Sequence, residues 1–78
     1  MKVLIYSKDE CPYCVKAKLL LQSNNINYEE KIVGKDLTSE EYRTIVGSTH
    51  KTVPGIFFDD KFIGGYDGLV EYIYQYLI

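Results

Sequence analysis

Within fourteen residues a short apolar run, Val3-Leu4-Ile5-Tyr6, gives way to a charged loop and then to Cys11-Pro12-Tyr13-Cys14. That order constrains the fold more than any other feature of the chain. The run is β-branched or aromatic and too brief for a helix, so it reads as a buried strand. Pro12 suits a first helical turn, because its missing N–H is one that a helix start does not use. Val15, Ala17, Leu20 and Leu21, flanked by Leu19, then form an apolar stripe that ends at Ser23-Asn24-Asn25. Two cysteines therefore sit at a strand-to-helix junction.

The rest of the chain continues to alternate. Asn27 to Val33 has the composition of a second strand, with Tyr28 and Ile32 on one face, Glu29 and Lys31 on the other, and Glu30 interrupting the inward row. Thr38-Ser39-Glu40-Glu41 is a capping box with Leu37 and Tyr42 as its staple, and Gly47 stops that helix after about two turns. Ile56-Phe57-Phe58 and Lys61-Phe62-Ile63 flank Asp59-Asp60 as a β-hairpin, which Gly64-Gly65 breaks. Asp67 is expected to cap a last helix whose Leu69, Val70, Ile73, Tyr74 and Leu77 recur at helical spacing. The order βαβαββα predicts an α/β fold, a four-stranded mixed sheet flanked by three helices, with a right-handed parallel βαβ unit at its start.

At 78 residues the expectation is a single domain over 1–78 that buries roughly 60–65% of its unfolded surface. Two cysteines are too few for a disulfide-stapled secreted scaffold, and a bond between residues three apart closes almost no chain. Their use is chemical or metal-binding. No signal or membrane span follows from the first apolar run, so a reducing compartment, the cytoplasm, is expected. A net charge of -2 without any basic, aromatic-laced segment argues against nucleic acid as a partner.

A thiol attacks only as thiolate, and an ordinary cysteine is a few per cent ionised at neutral pH. At the cap of a helix beginning at Pro12, Cys11 would receive unpaired backbone N–H groups and the favourable end of the helix dipole, with Lys8 adding positive charge. Both effects predict a lowered Cys11 pKa. Cys14, one turn on, should point into the body of the fold, so Cys11 attacks and Cys14 resolves. The zinc alternative has only His50 as a further soft ligand, and would need carboxylates or a second chain. His50 reads instead as a loop residue.

Cys11-Pro12-Tyr13-Cys14, Thr52-Val53-Pro54 and Gly64-Gly65-Tyr66-Asp67 stand in the order and spacing of a dithiol glutaredoxin, and the likeness runs from Val3 to Leu77. The chain resembles that family, whose fold is thioredoxin-like. The resemblance implies a thiol–disulfide oxidoreductase that reduces protein–glutathione mixed disulfides and protein disulfides, with glutathione as reductant and co-substrate and no metal. It implies Cys11 as nucleophile and Cys14 as resolving thiol. Lys8 and Tyr13 match positions flanking bound glutathione, Thr52 and Val53 precede a cis Pro54, and the Val53 backbone pairs with the cysteinyl part. Gly65, Tyr66 and Asp67 match the turn that receives the γ-glutamyl end, and Lys51 is a further candidate for the glycine carboxylate. Disulfide-bearing or glutathionylated proteins are the implied partners, ribonucleotide reductase among them, and the protein is expected to be a monomer.

The chain departs from that family pattern at Gly55, where a polar residue often follows the proline, at Asp59-Asp60, where relatives turn on Asp-Gly, and at Gly68. Two other activities share these features. One is a thioredoxin-like electron donor recharged by a flavin-dependent reductase. The other is an iron–sulfur carrier holding a [2Fe–2S] cluster between two chains through Cys11 and two glutathiones, to which the Pro12-Tyr13 pair is poorly suited.

Overall fold

All seven elements that the hydrophobic periods predict are present: β1 (Val3–Ser7), α1 (Pro12–Ser23), β2 (Glu29–Ile32), α2 (Ser39–Val46), β3 (Gly55–Phe58), β4 (Lys61–Gly64) and α3 (Tyr66–Tyr76). The computed structural model describes residues 1–47, 50 and 52–77. The strands form one sheet in the order β2-β1-β3-β4. β1 pairs parallel with β2 and antiparallel with β3, which pairs antiparallel with β4.

Period two along the central strands builds a core on each face. Val3 and Ile5 of β1 and Ile56 and Phe58 of β3 meet Ala17 and Leu21 of α1 and Leu69 and Ile73 of α3. The alternate residues Leu4, Tyr6 and Phe57 turn to the other face and pack with Tyr42 and Val46 of α2. Gly55, two residues before Phe57, belongs to that α2 face. The Thr38–Glu41 capping box forms as expected, with the Thr38 hydroxyl accepting from Glu41 N–H at 3.1 Å and the Glu41 carboxylate accepting from Thr38 N–H at 2.9 Å. The hairpin turns with positive φ at both Asp59 (50°) and Asp60 (68°). Aspartate tolerates that region, as such tight turns require.

Four local expectations are corrected. Val15 is 50% exposed, because Cys14 takes the inward position, three residues before Ala17 and seven before Leu21. Helix α3 has Gly65 as its N-cap and no side-chain cap bond, so Asp67 lies inside the first turn and does not cap it. Tyr74 is 68% exposed, whereas Tyr72 packs inward, its ring 4.3 Å from that of Phe58. Strand β2 spans Glu29–Ile32, shorter than Asn27–Val33; at its end the Asp36 carboxylate accepts from Ile32 N–H at 2.7 Å as the chain turns.

Candidate active site at the start of helix α1

Cys11 is the N-cap of α1, with extended backbone (φ −118°, ψ 99°), and Pro12 opens the helix. The Cys14 N–H points at Cys11 Sγ, 3.2 Å away. The two cysteines are joined as a disulfide with their Cα atoms 5.2 Å apart. Cys14 is 1% exposed and Cys11 9%. The helical turn thus sets Cys14 fully inward and leaves Cys11 lining the adjoining grooves, and the carbonyl oxygen of Val53 lies 3.9 Å from Cys11 Sγ.

The Val53–Pro54 peptide is cis, as the motif implied. Tyr13, Thr52, Val53, Pro54, Gly65, Tyr66 and Asp67 come together around one cleft of about 310 Å³. The Tyr13 and Tyr66 rings form a tilted pair in its wall, with centroids 6.0 Å apart. Lys8 is not in that cleft; it lines the adjoining groove beside Cys11, Val53, Tyr42 and Arg43. Lys51 lies outside the described residues.

Three residues carry more than the sequence suggested. His50 is half-buried in the wall of the cleft, its ring edge-on to Phe62 with centroids 4.9 Å apart. Its Nε2 lies 3.2 Å from the Pro54 carbonyl oxygen, which can only accept, so Nε2 carries the proton. Tyr42, expected as a staple, also donates its phenol hydrogen to the Thr52 carbonyl oxygen at 2.7 Å. Glu30 accepts from the Ser7 hydroxyl and from Lys18 Nζ, the latter at 2.9 Å, which explains an acid in the inward row of β2. The Ser7 hydrogen bond, and then Lys18, hold its carboxyl below the usual range. That pair lines the side of the disulfide away from Asp67, with Cys14. The departures at Gly55 and Gly68 were the sequence signal for tight packing: a Cβ at Gly55 would overlap the Tyr42 Oη, and one at Gly68 the Ile63 carbonyl oxygen. Gly68 lets α3 approach β4 closely. Among the described residues no group of three or more His, Cys, Asp or Glu side chains is gathered to hold a metal ion.

Comparison with known proteins decides the family, because the glutaredoxin family model matches residues 3–63. The chain belongs to the glutaredoxin family. It is 41% identical to Glutaredoxin 1 of Rickettsia conorii over 71 residues, covering 88% of this chain and 69% of the relative. It is 43% identical over 70 residues to the hybrid peroxiredoxin hyPrx5 of Haemophilus influenzae, covering 90% of this chain but spanning only 28% of that longer protein. Among solved structures, Glutaredoxin 1 from Francisella tularensis superposes with a TM-score of 0.82 at 35% identity, covering 97% of this chain and 95% of that one. A buckwheat glutaredoxin–glutathione complex gives 0.79 at 25% identity, covering 94% and 68%. The fold is thioredoxin-like, and membership of this family makes the chain a thiol–disulfide oxidoreductase with Cys11 and Cys14 as its redox-active pair.

Proposed function

We propose that this glutaredoxin is a monomeric, single-domain, glutathione-dependent oxidoreductase of the cytoplasm, reducing protein–glutathione mixed disulfides and protein disulfides. The observation that carries the reading is the placement of Cys11 Sγ at an N-cap, 3.9 Å from the Val53 carbonyl and beside the cleft walled by Tyr13, Tyr66 and Asp67. The buckwheat relative, of the same fold, was solved with glutathione bound.

In the reduced protein the Cys14 N–H and the start of α1 favour the Cys11 thiolate over the thiol. The thiolate attacks the glutathione sulfur of a mixed disulfide, forming Cys11–S–S–glutathione and releasing the protein thiolate. A second glutathione thiolate then attacks the glutathione sulfur, releasing Cys11 and oxidised glutathione. Alternatively Cys14 gives up its proton and attacks Cys11 Sγ, expelling glutathione and forming the Cys11–Cys14 disulfide. Two further glutathiones reduce that bond. A protein disulfide is opened by Cys11 and resolved by Cys14 in the same manner, with ribonucleotide reductase a candidate acceptor.

The chemistry of glutathione suits the residues present. Its cysteinyl amide can pair with the Val53 backbone, leaving its sulfur near Cys11. The γ-glutamyl ammonium suits the Asp67 carboxylate, while the glutamyl carboxylate suits the amides that begin α3 at Tyr66 and Asp67. Lys8, in the adjoining groove, suits the glycine carboxylate.

The reductant is the point to test. Turnover of a glutathionylated peptide should proceed with glutathione, NADPH and glutathione reductase. Turnover only when a thioredoxin-type flavin reductase replaces them would overturn the glutathione reading and place the chain with thioredoxin-like donors.

A further inference from the structure

We propose that Tyr42 is a positioning residue, acting through the Thr52–Val53 peptide to aim the Val53 N–H at the substrate, and that Gly55 is small so that the Tyr42 phenol can do this. The proposal rests on the reading that the Val53 backbone binds glutathione.

A trans peptide is planar, with its C=O and N–H pointing in opposite directions. The carbonyl of Thr52 and the N–H of Val53 belong to one such unit. Tyr42 reaches up from α2 and donates to that carbonyl at 2.7 Å. Fixing the oxygen on the α2 side turns the Val53 N–H the other way, and among the described residues nothing accepts from it. The next carbonyl, that of Val53, already lies 3.9 Å from Cys11 Sγ. The Val53 carbonyl thus lies beside the sulfur, and the direction of the Val53 N–H is set through Tyr42. A hydrogen bond on the carbonyl also polarises the peptide, which makes its N–H a better donor.

The phenol can hold this post because it is itself held. Tyr42 is 3% exposed, and its ring packs against Tyr6 with centroids 5.5 Å apart. Burial pushes its pKa up to about 12, so it remains a donor throughout the neutral range. Space is the second constraint. A Cβ at residue 55 would overlap the phenol oxygen and lie 3.1 Å from both Cε1 and Cζ of the ring. A side chain there cannot coexist with the phenol oxygen in its present place. The glycine and the tyrosine form one device, split between β3 and α2.

The test begins with the wild-type protein and a glutathionylated peptide, glutathione and glutathione reductase. No turnover there would sink the glutathione reading itself, and this proposal with it. Given turnover, Tyr42→Phe keeps the ring and removes only the donor. It should raise KM for the peptide about three- to tenfold, the range of one hydrogen bond, while kcat moves less than twofold. The Val53 amide resonance should shift in the same variant. Gly55→Ala should raise KM in the same way by displacing the phenol, and the double variant should be no worse than the more affected single one. An unchanged KM with an unmoved Val53 amide in Tyr42→Phe would overturn the proposal. So would a double variant whose KM increase is the product of the two, since independent sites multiply in this way.

Discussion

Helices α1 and α3 both begin at the same cleft, and they are finished in opposite ways. The N-cap of α1 is a sulfur, with Pro12 behind it and the Cys14 N–H directed at Cys11 Sγ. The N-cap of α3 is Gly65, which brings no side chain to its first amides. At α1 the positive end of the helix faces the protein's own sulfur. At α3 no side chain takes up the corresponding amides, which is where the proposed function places a carboxylate of glutathione. The two helices are also fastened to the sheet differently. α1 is tied to β2 through Lys18 and Glu30, while α3 is seated by the close approach of Gly68 to Ile63. Both helices pack into the same core; α1 adds a polar contact that solvent can weaken, α3 a close backbone approach.

The largest effect should fall on the capped helix. Cys11→Ser should reduce turnover to background with any disulfide, whereas Cys14→Ser should keep turnover of a glutathionylated peptide and lose reduction of protein disulfides. Equal loss in both variants would remove the distinction between an attacking and a resolving sulfur. The fastening of α3 should matter next. Gly68→Ala should lower Tm by about 5–10 °C, because overpacking against a backbone carbonyl outweighs the gain in helix propensity. A Tm at or above that of the wild type would mean that α3 is free to shift away from β4.

The open cap of α3 gives a smaller, functional effect. Gly65→Ser supplies a side-chain cap and narrows the approach to the first amides, so KM for the glutathionylated peptide should rise about threefold to tenfold. Stability should change by less than about 1 kcal/mol, a modest capping gain opposing a Cβ 3.3 Å from the Pro54 carbonyl oxygen. An unchanged KM would show that the substrate carboxylate does not use this helix end. Glu30→Gln, on the fastening of α1, should have the smallest effect. Folding lowers the Glu30 pKa, so its contribution is complete well above the unfolded value of about 4.3 and is lost as pH falls through the lowered folded value. The Tm difference from wild type should therefore be largest near neutrality and close in acid. A gap that widens on acidification would contradict the sign.

The contrast between the two helices also shows what could be read in advance. Pro12 after Cys11 marks a helix start from chemistry local to three residues, and the structure agrees. Asp67 was expected to cap α3, and only the path out of β4 makes Gly65 the N-cap instead. The inward face of α1 was displaced because an apolar count weights Val15 above Cys14, whereas the helix buries Cys14 with Ala17 and Leu21. Glu30 could not be understood from β2 alone, since its partners lie on β1 and α1. Tyr42 and Gly55 are thirteen residues apart in sequence, and their mutual fit exists only once α2 has packed on the sheet. The residues that line the cleft were legible as three motifs because each lies on a short contiguous segment.

The most direct test of the account is to load glutathione onto Cys11 in the Cys14→Ser protein and map amide shifts against the unmodified variant. The account predicts the largest changes at Tyr13, Val53, Tyr66 and Asp67, with Lys18 and Glu30 on the other side of the disulfide little moved. Changes confined to the neighbours of Cys11, or centred on Lys18 and Glu30, would contradict a glutathione site between the starts of α1 and α3.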